Sequence, residues 1–255
     1  MPPSDAIFAV TGGTRGIGAA TVDQLAADHP AARIVFCGRD RAAGTALADK
    51  LGPTVEFVPA DVTDPGQVAA FFAAVAARGR LTGAFNCAGV LGTDTTLRGN
   101  TFHTADPAGF AHVMAVNVFG LADCLRHELR LFTEQGGGGA IVNMASVAGL
   151  RAADSLSVSY TASKHAVVGM TRALAAEYAP HGLRINAVCP GVIATDIIEG
   201  LHEPLLAQLR AKNPGARIGA ASEVATTVAF LLSEGASYVS GTTLTVDAGG
   251  LYGAL

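Results

Sequence analysis

The sequence predicts an α/β fold, a doubly wound parallel sheet with helices on both faces. Three observations carry that prediction. Short β-rich apolar runs alternate with Ala-rich helical stretches along the chain. A glycine-rich turn joins the first run to the first helical stretch. No linker or solenoid-length repeat interrupts the alternation over 255 residues, a length that suits one large domain, residues 1–255, better than two small ones.

Taken in order, Ala6–Val10 reads as the first strand and Ile17–Ala27 as the first helix. Arg33–Cys37 and Val55–Pro59 are the next strands, with helices at Arg41–Lys50 and Pro65–Ala77. Ala84–Cys87 is the fourth strand, and a long helical pattern runs from about Pro107 to Glu134. The glycine run Gly136–Gly139 reads as a flexible turn into the strand Ala140–Met144. Helix Ser159–Ala179, strand Arg184–Cys189, helix Ser222–Leu232 and strand Thr243–Val246 complete the set. Right-handed crossovers wind such an alternation into a doubly wound sheet.

Composition narrows the function. Half the residues are hydrophobic and 15% are charged, enough for a sizeable core. The formal net charge is -4 and no Lys/Arg-rich stretch occurs, which argues against a nucleic-acid partner. The most apolar stretch, Val68–Ala77, ends at Arg78 and is too short to span a bilayer, so it reads as a buried helix. Ser4 and Asp5 break any signal-peptide pattern. Cys37, Cys87, Cys124 and Cys189 form no CxxC and fit reduced core thiols in a cytoplasmic protein. The histidines show no ligand spacing, so no metal is expected.

The turn Thr11-Gly12-Gly13-Thr14-Arg15-Gly16-Ile17-Gly18 has the spacing Gly-x3-Gly-x-Gly. Glycines let a backbone approach an anion closely, and a helix N-terminus offers free N–H groups and a positive dipole end. Many glycine-rich turns are merely structural; its place directly after the first strand favours phosphate binding. Tyr160 and Lys164 lie four apart on a predicted helix and share a face. A neighbouring cation lowers a phenol's pKa, so the two can work as an acid/base pair. An exposed i,i+4 pair is the alternative, weakened because the chain has only four Tyr. Ser146 follows the strand Ala140–Met144, at the strand end where open α/β sheets bind ligands. Asn117 stands inside the long helix, either as a functional amide or as a satisfied core side chain.

Together these residues resemble a short-chain dehydrogenase/reductase from about Ile7 to Gly250. The resemblance rests on Thr11–Gly18, Asp61-Val62, Asn86-Cys87-Ala88-Gly89, Asn117, Ser146, Tyr160-x3-Lys164, and Pro190-Gly191 with Thr195, in that order. It implies a Rossmann fold with seven parallel strands in the order 3-2-1-4-5-6-7, and a tetramer or dimer. It implies that Tyr160 is general acid in reduction and base in oxidation, and that Ser146 holds the substrate oxygen. Lys164 would bind the nicotinamide ribose and depress the Tyr160 pKa, and Asn117 would hold a water of a proton relay. The cofactor would lie along Gly12, Thr14, Arg15, Gly16, Ile17 and Gly18. Asp61 and Val62 would border its adenine, and Asn86, Ala88 and Gly89 its middle. Pro190, Gly191, Ile193 and Thr195 would meet its nicotinamide side. Three departures stand out. Cys87 replaces an Asn, the Ser146–Tyr160 spacing is one residue longer than usual, and Val90–Asp106 is extended.

The second strand ends Gly38-Arg39-Asp40, with glycine where an acid would bind the ribose hydroxyls of NAD(H). Arg39 and Arg15 could clamp a ribose 2′-phosphate, so NADP(H) is expected, with NAD(H) through Asp40 as the alternative. The substrate pocket is expected from Val90–Asp106, Val147–Leu156 and a lid over about Asp196–Pro214. Their leucines, isoleucines and valines suggest an apolar ketone or secondary alcohol, making the chain a ketoreductase, unless they serve only helix packing. Sugar-nucleotide epimerases share the glycine loop and Tyr-x3-Lys but differ in loop spacing. A cofactor-binding protein without turnover would not need the four-residue set.

Overall fold

The computed structural model describes residues 6–92, 101–152, 157–195, 203–211 and 213–251. Seven parallel strands form its sheet: β1 (Ala6–Thr11), β2 (Arg33–Gly38), β3 (Val55–Pro59), β4 (Arg80–Asn86), β5 (Gly139–Met144), β6 (Leu183–Pro190) and β9 (Thr243–Val246). Their order is β3-β2-β1-β4-β5-β6-β9, so chain direction reverses its march across the sheet between β1 and β4. Between β6 and β9 lie two-residue strands, β7 (Ile193–Ala194) and β8 (Gly219–Ala220), which pair with each other. This is the expected sheet in the expected order.

Each strand feeds both faces, because successive side chains point to opposite sides. Ile7 and Ala9 of β1 join Val35 of β2 in one core. That core is closed by α3 (Pro65–Ala76), α5 (Leu121–Glu134) and α6 (Val158–Tyr178), through Phe71, Phe72, Leu125 and Val167. Phe8 and Val10 join Ile34 and Phe36 on the opposite face. There α1 (Gly16–Asp28) and α8 (Ala221–Leu232) supply Val22, Leu25, Val224 and Val228, and α2 (Arg41–Leu51) adds Leu47.

Helix starts follow local chemistry. Asp64 accepts the N–H of Gly66 and Gln67 ahead of Pro65, and Asp40 accepts that of Ala43. Asp106 does the same for Ala108 ahead of Pro107, opening α4 (Pro107–Met114). The long helical pattern is not uniformly α. A π turn, Ala115–Gly120, sits between α4 and α5 and carries Asn117. By length and composition alone Pro107–Glu134 is long and apolar enough to cross a membrane. In the fold it packs on α3, β4 and α6.

Two expectations change. Strand β4 begins at Arg80 rather than Ala84. Arg80 and Gly83 disguise its start, yet Gly83 is needed there, since a Cβ would lie 2.8 Å from the Phe8 ring. The glycine run is not a slack turn. Arg80 donates to the carbonyls of Gln135 and Gly137 at 2.7 Å each, and Gly138 N–H donates to His181 O at 2.9 Å. A Cβ on Gly137, at φ +81°, would sit 2.3 Å from His181 O.

Candidate active site

The C-terminal ends of β1, β4, β5 and β6 deliver the site. After β1 the chain turns through Gly12 at φ +67° and Gly16 at φ +54° and enters α1. The first-turn N–H groups of α1 therefore face the strand ends. Space is tight. A Cβ on Gly12 would meet Ala88 backbone at 2.7 Å, and one on Gly18 would meet Gly12 O at 2.1 Å. Thr11 Oγ1 accepts the Ala88 N–H at 3.4 Å. A Cβ on Gly16 would lie 3.3 Å from the Thr195 methyl, so Thr195 stands beside the loop. Ile17 packs on the α1 side of the sheet. These glycines, with a helix N-terminus, suit the pyrophosphate of a dinucleotide.

Ser146, Tyr160, Lys164 and Asn117 come together. Ser157 caps α6 by accepting the Tyr160 N–H at 3.1 Å, which sets the helix phase carrying Tyr160 and Lys164. The side chains of Tyr160 and Ser146 hydrogen-bond. Ser146 Oγ also accepts the Ala148 N–H at 3.2 Å, capping the 3-10 turn Val147–Gly149. That turn presses on α6, where a Cβ on Gly149 would lie 2.6 Å from Lys164 O. Lys164 is buried, donates to Met144 O at 2.7 Å, and holds its Nζ 5.5 Å from the Tyr160 ring centre. Asn117 accepts the Val90 N–H at 2.8 Å and donates to Val90 O at 2.9 Å and Ser163 Oγ at 3.0 Å. Both amide hydrogens are thus committed, and the amide holds the β4 loop against α6. Gly89 lies between, since its Cβ would be 3.3 Å from Asn117 Oδ1 and 3.5 Å from Lys164 Nζ.

The electrostatics differ from the expected balance. Burial pushes the Tyr160 phenol above its ordinary value, and the Ser146 hydrogen bond pulls it back only in part. Burial lowers Lys164 to about 8, with the Cys87 and Cys189 thiols opposing. Those thiols are themselves pushed up by burial, Cys87 to about 12 and Cys189 to about 11. Desolvation, rather than the cation that was expected to depress the phenol, sets the direction of its shift.

Other expected residues divide. Pro190 is buried at the end of β6, and Ile193 is buried in β7. A Cβ on Gly191 would meet the Asp247 Cβ at 2.8 Å. Val62 packs against the π turn, 2.9 Å from a Cβ on Gly120. Asn86 turns its amide away from the loop into the core, donating to Glu128 at 2.9 Å and Asn143 at 3.1 Å. Its side chain cannot line the cofactor as expected; Asn86 serves the site through what it holds. Asp61 accepts from Thr63 and stands 4.0 Å from the exposed Arg39 guanidinium. Asp40 spends its carboxylate on capping α2. Thr14 packs on Gly38, where a Cβ would lie 2.6 Å from the Thr14 methyl.

The sequence reading missed Met144, Val90 and Ser163. The first two act through their backbones, which no residue type advertises. Arg151 was also missed; it donates to Leu251 O at 2.8 Å and Gly250 O at 2.9 Å, tying the turn after Ser146 to the C-terminal segment. Much of the expected pocket wall lies outside the described residues, namely 93–100, 153–156 with Leu156, and 196–202 with Ile197, Ile198 and Leu201. The described part of the expected lid includes α7 (Glu203–Ala211). Among the described residues no His, Cys, Asp and Glu group could hold a metal ion.

Comparison with known proteins agrees with this geometry. A family profile described as enoyl-(acyl carrier protein) reductase matches residues 12–250. Levodione reductase of Leifsonia aquatica is 38% identical, over 96% of this chain and 94% of that protein. The cis-4-hydroxycyclohexanecarboxylate dehydrogenase of Sinomonas cyclohexanicum is 36% identical, over 96% of each. The crystal structure of levodione reductase superposes with a TM-score of 0.89 at 35% identity, covering 97% of this chain and 98% of that one. The chain belongs to the short-chain dehydrogenase/reductase family, as an oxidoreductase acting between a carbinol and a carbonyl.

Proposed function

We propose that this chain transfers hydride between NADP(H) and an apolar cyclic ketone or secondary alcohol, with Tyr160 as the proton donor and acceptor. The observation that carries the reading is the Tyr160–Ser146 hydroxyl pair, backed by buried Lys164 at the strand ends. A reduced nicotinamide, when bound, supplies the hydride. The chain's own residues do the rest. Ser146 donates a hydrogen bond to the substrate oxygen, and Tyr160 gives that oxygen its proton as negative charge develops. Lys164 meets the nicotinamide ribose and, while protonated, lowers the cost of the phenolate left behind. Asn117 has no amide hydrogen to spare, so its part in a proton relay would run through its backbone carbonyl.

The cyclic substrate class is suggested by the relatives, whose names speak of levodione and hydroxycyclohexanecarboxylate. NADP(H) preference is supported by glycine at position 38, by Arg15 and Arg39 nearby, and by the capping duty of Asp40. A homotetramer is the assembly we infer, with Pro107–Glu134 and α6 meeting across a two-fold axis; Phe119 is 67% exposed on the former. The test is nucleotide oxidation against a panel of cyclohexanones, with NADPH and NADH in parallel. Turnover with NADPH that vanishes in Tyr160→Phe is expected. Absence of turnover with intact nucleotide binding would favour the non-catalytic alternative. A preference for NADH would overturn the cofactor assignment.

A further inference from the structure

A buried polar network beneath the site has no part in the chemistry above. Glu128 of α5 is 1% exposed, and its carboxyl accepts from Asn86 Nδ2 at 2.9 Å. Asn86 gives its other hydrogen to Asn143 Oδ1 at 3.1 Å. Asn143 donates to Thr171 Oγ1 at 3.0 Å, and Thr171 donates to Val167 O at 2.8 Å. Asn86 and Asn143 are register partners at the ends of β4 and β5. Every hydrogen Asn86 owns is given away, and its Oδ1 is buried with no donor. A buried unpaired carbonyl oxygen is costly. Of the network's members, Glu128 is the one that gains a donor O–H on protonation.

We propose that Glu128 is a positioning residue that, as a neutral acid, fixes the two loops carrying the nucleotide and substrate sites. Asn86 leads directly into Cys87, Ala88 and Gly89, which touch the glycine loop and Lys164. Asn143 leads into Met144, whose carbonyl holds Lys164, and on to Ser146. One carboxyl therefore braces both strand ends. Ionisation would place an uncompensated charge against the Asn86 oxygen and slacken both loops. The groups facing it offer no relief. Asn86, Asn143 and Thr171 are uncharged, and the Cys37 thiol of β2 and the Cys124 thiol of α5 lie within electrostatic reach, both pushed up by burial. Asp123 acts on Cys124, and His127 stacks on Phe72 of α3. Burial raises the Glu128 carboxyl to about 7, so the switch falls near neutrality.

The test is nucleotide binding, so it does not depend on finding the substrate or on the proposed function above. NADPH and NADH dissociation constants are measured by nucleotide fluorescence from about pH 5 to about pH 9, in wild type and Glu128→Gln. Wild-type affinity should weaken several-fold as pH rises through about 7. Glu128→Gln, neutral throughout, should lose the step near 7 and keep only the fall that Lys164, lowered to about 8, brings to both proteins at higher pH. Identical pH profiles in the two proteins would overturn the proposal. Should Glu128→Gln fail to fold, wild-type protein alone decides through the infrared C=O stretch of a protonated glutamic acid. Presence of that band just below neutrality, where surface glutamates are ionised, supports the neutral acid; its absence there overturns it.

Discussion

Tyr160 makes a plain demand, because its hydroxyl pairs with Ser146 in front of Lys164. Tyr160→Phe should leave the fold and nucleotide binding intact and lower kcat about 10²-fold or more, as loss of a general acid does. Near-normal kcat in that variant would refute the assignment. At the nucleotide end, Arg39→Ala should weaken NADPH at least about tenfold more than NADH, since a charge-assisted bond to phosphate is lost. Equal losses would mean that Arg39 only packs on the adenine. Gly38→Asp alone should cost both cofactors, because its Cβ would press the Thr14 methyl at 2.6 Å. Adding Thr14→Ala should release the clash and turn the preference toward NADH, read as the ratio of kcat/KM values. Glu128 also leaves a mark on stability. Its folded pKa is raised, so the protonated acid's contribution is full below the ordinary value of 4.5 and is lost progressively as pH rises to about 7. Thermal unfolding should show that decline, of the order of 3 kcal/mol at most, in wild type and not in Glu128→Gln. Tyr160 and Lys164 were legible as candidates from their spacing and Ser146 from its strand end, whereas Asn117 was marked only by the family resemblance. Glu128 was not, for a lone acid in an amphipathic helix looks like any solvated one until burial is known.

Elements were legible to the extent that their patterns were uninterrupted. Strands β1, β2 and β3 read directly from apolar runs, and the helical patterns from Pro65 and from about Pro107 match the starts of α3 and α4. The start of β4 did not, because Arg80 serves the glycine turn and Gly83 serves the Phe8 ring. Nor did the π turn at Asn117. Its six residues are compatible with an ordinary α-helix, and only the two-way grip on Val90 reveals why the winding changes. Asn117→Leu should therefore do more than remove a polar group. It should free the β4 loop from α6, raising KM for nucleotide as well as lowering kcat, whereas a role confined to proton relay would lower kcat alone.

The whole molecule gathers the candidate catalytic groups at the C-terminal ends of the inner strands, from the loops there and from the helices beside them. Light scattering at micromolar concentration should give a tetramer mass; a strictly monomeric mass would contradict the proposed assembly. The same sheet order has a kinetic side. Strand β1 stands between β2 and β4, and β6 meets β9 only after two small strands, α7 and α8 have intervened. Parallel pairings of this kind close long loops before any contact repays them, so they form late. Until they form, the wholly buried Ala6–Thr11 is an unpaired apolar edge. Refolding from denaturant should thus be slow and lose yield as protein concentration rises, a cost imposed by strand order rather than by any weak contact in the finished fold.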